Sequence, residues 1–255
     1  MWTRRLSIWI VSTFALIVPV VVESADPPPG PAYQIVLRSR HAVVTPSRCR
    51  DAQTGGGSII VEQVEPHTIV VTMGGSAVAG SACHDSTAGI DFNLQQELDI
   101  IPVRAGVRPP RVGMVGRVVG TLQVTQPSCC WLCDNACGTA EQGPAIADLV
   151  TGEKSLVNLN VKSLSLSNGQ ESAINLQTGP VEAPAAVGKY QLIASYRIGV
   201  SQGKGVFNRQ AAAADFDSAP QLDGAWADVL KPFRAIPRRD FGFKLVLRVV
   251  EATAP

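Results

Sequence analysis

Phe241-Gly242-Phe243-Lys244-Leu245-Val246-Leu247-Arg248-Val249-Val250 is the stretch that decides the fold class. Phe241, Phe243, Leu245, Leu247 and Val249 share one parity, and Gly242, Lys244 and Arg248 occupy the other. Successive side chains of a strand point to opposite faces, so this segment reads as a strand with one buried and one wet face, the pattern of an antiparallel sheet. Tyr190-Gln191-Leu192-Ile193-Ala194-Ser195-Tyr196-Arg197-Ile198 is a second strand of the same kind.

Towards the N-terminus, the apolar residues come in short β-branched runs: Ile35 to Leu37, Ile59 to Val64, Thr68 to Thr72, Ile90 to Leu94, Leu98 to Val103, and Val112 to Val124. Turn residues punctuate them at Thr54-Gly55-Gly56-Gly57, Gly74-Gly75, Pro102 and Pro109-Pro110, which is the spacing of an all-β fold. In the second half, Val157, Leu159 and Val161 alternate with Asn158 and Asn160, whereas Leu164 and Leu166 fall on the opposite parity. A bulge near Lys162 or Ser163 would return them to one face. Asn168-Gly169 then predicts a hairpin into Ala173-Ile174-Asn175-Leu176, with Leu164 facing Ile174 if the loop has three residues. Helical signal is poor: Ala211 to Ala214, and Ala225 to Leu230 ahead of Pro232, offer a turn or two each. The fold expected is an all-β antiparallel sandwich, jelly-roll-like, with a Cys-rich loop over 127–147 and minimal helix.

Arg4 and Arg5, the apolar stretch Leu6 to Val22, and the small residues Ser24 and Ala25 have the three-part layout of a secretory signal. Cleavage is expected after Ser24 or after Ala25. The competing reading is an uncleaved anchor, since the stretch is close to the ~17-residue lower limit of a membrane span. No other apolar run approaches the ~20 residues of such a span. Residues 26–32, Asp-Pro-Pro-Pro-Gly-Pro-Ala, form a stiff tether, and a single β domain is expected over 33–252, the alternative being two domains at 33–126 and 148–252. The chain has 22 basic and 21 acidic side chains, and removing residues 1–25 takes away Arg4, Arg5 and Glu23. The remainder is formally neutral and offers no long-range field to hold a polyanion, so nucleic acid is not an expected partner.

Export makes disulfides the default reading of Cys49, Cys83, Cys129, Cys130, Cys133 and Cys137. Cys49 and Cys83 stand apart, so the economical pattern joins them to each other. The cluster then closes as Cys129–Cys133 with Cys130–Cys137, or as Cys129–Cys137 with Cys130–Cys133. The same cluster offers four thiolates to Zn2+, although four ligands within Cys129 to Cys137 leave little room for tetrahedral geometry. A reactive Cys130-Trp131-Leu132-Cys133 lacks the following helix that lowers a thiol pKa.

No catalytic constellation stands out. His41, His67 and His84 have no Gly-x-Ser-x-Gly elbow to serve, and Ser76 and Ser81 lie in a small-residue stretch that reads as a tight turn. No HExxH, phosphate loop or GxGxxG occurs. Between residues 215 and 239, Asp215, Asp217, Asp223 and Asp228 precede Lys231, Arg234, Arg238 and Arg239, with Phe216, Trp226 and Phe233 interleaved. Asp215, Asp217 and Asp223 are candidate Ca2+ or ligand contacts, and Trp226 is a candidate ring for stacking on a sugar. A solvated loop with local ion pairs is the competing reading.

Function is therefore expected to be a non-enzymatic structural, adhesive or ligand-binding module, secreted or held in the periplasm or cell envelope. It would need no cofactor and would meet an extracellular protein or polysaccharide. A hydrolase of extracellular polymers is the alternative, with Glu62, Glu65, Glu97 and Asp99 as the carboxylates that would have to pair. A metal or redox protein built on the thiol cluster is the third reading.

Overall fold

A computed structural model describes residues 30–49, 52–81, 86–124, 138–167, 169–202, 210–218 and 238–252. Its strands are β1 (Tyr33–Cys49), β2 (Ala52–Glu65), β3 (Thr68–Ser81), β4 (Ser86–Pro102), β5 (Pro110–Val124), β6 (Thr139–Gln142), β7 (Ala145–Thr151), β8 (Lys154–Val161), β9 (Leu164–Ser167), β10 (Glu171–Pro184), β11 (Gly188–Gln202), β12 (Gln210–Asp215) and β13 (Gly242–Glu251). They form two antiparallel sheets packed face to face, an all-β sandwich. The first sheet runs β1-β4-β11, and beyond β11 it divides into β6-β9 and β7-β8. The second contains β2-β3 and β5-β10, with β12 and β13 between β3 and β5. Each sheet draws strands from both halves of the chain, on either side of residues 127–147. Among the described residues no helix is long and apolar enough to cross a membrane.

The expected alternation of the last strand is realised in β13, where Phe243, Leu245, Leu247 and Val249 are buried. β12 and β13 share one line. Along β3, Arg248 to Phe243 pair with Thr68 to Met73, and Asp215 to Gln210 pair with Ser76 to Ser81. Asp215 thus ends, and Gly242 opens, two strands that lie on one line of the sheet. Gly242 sits in the left-handed region, at φ +111, and a Cβ there would sit 2.7 Å from the Met73 carbonyl oxygen.

Aromatic rings from both sheets meet in the core around Tyr196. Its ring stacks on Phe92 at 5.7 Å, meets Phe216 edge-on at 5.9 Å and tilts against Phe243 at 5.8 Å. These are the separations at which aromatic pairs add to simple burial. Phe216 needs a gap in β5, and Gly120 provides it: a Cβ on Gly120 would lie 2.2 Å from the Phe216 ring.

Several local expectations need correction. Ile90 to Leu94 and Leu98 to Val103 lie largely in one strand, β4, rather than two, and Val103 follows its end. Gly55-Gly56-Gly57 lies within β2, where the register with β3 shifts between Thr54 and Gly57, so the glycines make a bulge and not a turn. Gly74-Gly75, Ser76 and Ser81 all belong to β3. Ala211 to Ala214 form strand in β12, flanked by β3 and β5, because sheet pairing on both sides overrides the helix preference of alanine. Lys162-Ser163 is a break between strands rather than a bulge: β8 pairs with β7, and β9 with β6. Gly169 does turn, at φ +70, but it carries the chain from β9 in one sheet to β10 in the other, so Ile174 faces Gly120 and not Leu164.

Candidate functional site

β4 and β11 lie side by side at the centre of the first sheet, and their outward residues stand in register. Asp99 faces Lys189, Glu97 faces Gln191, Gln95 faces Ile193, Asn93 faces Ser195, and Asp91 faces Arg197. All but Ile193 are polar, as a wet sheet face requires. The Arg197 Nε lies 3.6 Å from the Asp91 carboxylate.

At one end of this ladder, β1 adds two more side chains by breaking its own register. The pairing of β1 with β4 shifts between Leu37 and Arg40, leaving Arg38 and Ser39 in a bulge. Bulges re-aim side chains. Here Arg38 donates from Nε and Nη2 to Asp99 Oδ2, at 2.9 and 2.7 Å, and Ser39 Oγ donates to Glu97 Oε2 at 2.5 Å. The bulge is held from below by Gln96, a polar residue in the inward row between Leu94 and Leu98. Its side chain is buried, and Nε2 donates to the Ser39 carbonyl at 3.1 Å and to the Glu97 carbonyl at 2.7 Å. A buried amide with satisfied donors is a rigid support, because leaving it unbonded would cost about 1–3 kcal/mol.

The result is a groove of about 500 Å³ bounded by Arg38, Glu97, Asp99, Val150, Lys189 and Gln191. Gly152 extends the wall at the β7–β8 turn, and Tyr190 lines it with its ring buried and its hydroxyl bonded to the Ala186 backbone. The volume falls in the range of small-ligand sites. Planar carboxylate, guanidinium and amide groups converge there, and each can bond two neighbouring oxygens of one ligand.

The aspartates singled out from the sequence lie elsewhere. Asp215 ends β12 on the outer face of the second sheet, where it is buried in one row with Ser76 and Thr121. Asp217 is half-buried, and its backbone N–H donates to Asp215 Oδ1 at 3.4 Å. Asp223 and Trp226 lie outside the described residues, as do Cys83, Cys129, Cys130, Cys133, Cys137 and His84. Cys49 is exposed at the end of β1, opposite Thr87 of β4, and has no disulfide partner among the described residues. Among the described residues no group of three or more His, Cys, Asp or Glu side chains is gathered for a metal ion.

His41 is exposed on β1, opposite Gln95, and His67 sits in the β2–β3 turn with Nε2 3.2 Å from the Glu65 carboxylate. Of the carboxylates considered for acid–base work, Glu62 and Glu65 are on β2 of the second sheet, whereas Glu97 and Asp99 share the groove on the first. Sequence reasoning named Glu97 and Asp99 only as dispersed acids and missed the groove. Gln96 was the available signal, a polar side chain on the parity otherwise held by Phe92, Leu94, Leu98 and Ile100.

No protein-family model matches the chain, and no curated protein matches it either.

Proposed function

We propose that the chain is an exported, disulfide-stabilised, non-enzymatic binding module of the cell envelope or extracellular space, and that its groove takes a segment of polysaccharide. The observation that carries this reading is the β1 bulge, which turns Arg38 and Ser39 onto the carboxylates of β4 and presents a preorganised polar surface. Vicinal hydroxyl groups suit such planar, bidentate partners.

The test is a glycan microarray probed with the exported chain, with Arg38→Ala and with Trp226→Ala. Binding lost in Arg38→Ala alone supports the groove. Loss only in Trp226→Ala moves the site to Trp226 and its neighbours in sequence, and binding unchanged in both removes the reading.

The co-location of Glu97 and Asp99 in one groove favours a second reading, a hydrolase of extracellular polymers. Against it, Asp99 is engaged by Arg38 and Glu97 by Ser39. Release of new reducing ends from a bound glycan, abolished by Glu97→Gln, is the result that would favour it.

A further inference from the structure

An exposed sheet edge is a template for another strand, and proteins that stay monomeric guard their edges. The edges of this sandwich carry such guards to different degrees. β1 has Pro46 and the inward-parity, exposed Arg40 and Arg48. β10 shifts register between Thr178 and Val181 around Pro180 and ends at Pro184, and its regular run Glu171–Thr178 exposes Glu171, Ala173, Asn175 and Gln177, none of them β-branched. On the far side of the first sheet, β9 has four residues, and β8 opens on Lys154 and exposes Asn158 and Asn160 rather than β-branched side chains.

β2 is also bracketed by register shifts, carries Glu62 and Glu65, and has Gln63 tied to β1, its Nε2 donating to the Ile35 carbonyl at 2.8 Å; what sets it apart from β8, β9 and β10 is an exposed β-branched residue at the middle of its regular run. Among the described residues it pairs only with β3, and it contains no Pro, Lys or Arg from Ala52 to Glu65. Its register shifts fall at Thr54/Gly57 and Gln63/Glu65, leaving Gly57–Gln63 as an uninterrupted run. Within it Ile60 is 46 % exposed on the outer face, between Ser58 and Glu62. β-Branched residues on a regular edge free of Lys and Arg are what strand addition requires.

We infer that β2 pairs antiparallel with β2 of a second copy about a two-fold axis at Ile60. Ile60 is the centre of the regular run, so the run matches itself. Ile60 meets Ile60 and Ile59 meets Val61. Glu62 meets Ser58, whose hydroxyl can donate to the carboxylate, and Gly57 meets Gln63. Apolar residues face apolar residues and no like charges face each other, which is the self-complementarity an isologous interface needs. The paired edges join the two second sheets into one, with their outer faces on the same side. This inference does not depend on what the groove binds.

Sedimentation velocity of the exported chain over a range of concentrations tests it. The expected result is a dimer that Ile60→Lys dissociates, raising its dissociation constant at least about tenfold, because two ammonium groups then face each other across the axis. The far-ultraviolet circular dichroism should stay unchanged, since the site is on the surface. Ile60→Cys, oxidised and mapped by mass spectrometry, should give a peptide cross-linked to its own copy through the introduced thiols, the separation of directly opposed strand residues being within disulfide reach. Glu62→Cys should give no such self-link, because Glu62 faces Ser58 across the axis. A monomer at all concentrations, a dimer indifferent to Ile60→Lys, or a dimer in which Ile60→Cys forms no cross-link would each overturn the inference; the first would leave β2 open to a different strand.

Discussion

Replacing Tyr196 by Phe should stabilise the protein. The Tyr196 side chain is 2 % exposed at the centre of the aromatic cluster, and its hydroxyl oxygen is buried without a hydrogen-bond partner among the described residues. An unbonded hydroxyl in an apolar interior costs about 1–3 kcal/mol by mutational measures. Phe keeps the ring that stacks on Phe92 and meets Phe216 and Phe243, so little packing is lost in exchange. The net gain expected is about 1 kcal/mol, or a rise in Tm of about 2–4 °C for a domain of this size. Urea unfolding at pH 7, followed by circular dichroism, measures it, with the slope unchanged and the midpoint moved up. A pH series adds a second signature. Burial pushes the Tyr196 phenol well above its ordinary value, so the unfolded chain loses this proton more readily than the folded one. The associated stability is complete below the ordinary tyrosine range and drains away as pH rises through and beyond it. The wild type should therefore lose more stability than Tyr196→Phe above about pH 10. A variant destabilised by about 1 kcal/mol at pH 7 would refute the reasoning, because it would mean that the hydroxyl has a partner worth keeping.

Two further substitutions probe the supports of the core and of the groove. Gly120→Ala places a methyl group against the Phe216 ring and should cost about 1–3 kcal/mol by overpacking, read as a lower urea midpoint. Gln96→Leu strips the Ser39 carbonyl of its buried donor; it should cost about 1–3 kcal/mol and weaken glycan binding, although Gln96 itself lies beneath the groove.

What was legible in the sequence is what depends on local alternation. β11 and β13 announce themselves by a two-residue period, interrupted on the wet parity by Ile193 and by Val246 and Val250, and Tyr33 begins the first strand just after the proline-rich run. What was not legible depends on pairing between distant residues. The glycines of β2 read as a turn because triple glycine usually is one, yet the pairing of Gly57 with Gly75 holds them in a strand. Gly169 reads as a hairpin, but the partners of β9 and β10 lie in different sheets. Asp215 reads as a loop aspartate, and its place at the end of a strand follows from pairing with Ser76 and Thr121, which are remote in sequence. The groove stayed hidden because Arg38-Ser39 looks like any polar pair until β4 is placed beside it. Only Gln96, out of step with Leu94 and Leu98, marked the spot.

The central claim is that the groove binds an extracellular glycan without transforming it. The most direct measurement is a titration of the purified chain and of Asp99→Ala with the glycan that scores highest on the array, with the glycan recovered and weighed by mass spectrometry. Arg38 and Asp99 are partly exposed, and removing one side of such a pair should change folding stability by less than about 1 kcal/mol. The account predicts saturable binding by the wild type, at least about tenfold weaker binding by an equally well folded Asp99→Ala, the loss of about one strong charged contact, and an intact glycan throughout. Equal affinity in the two proteins, or a glycan returned cleaved, would contradict it.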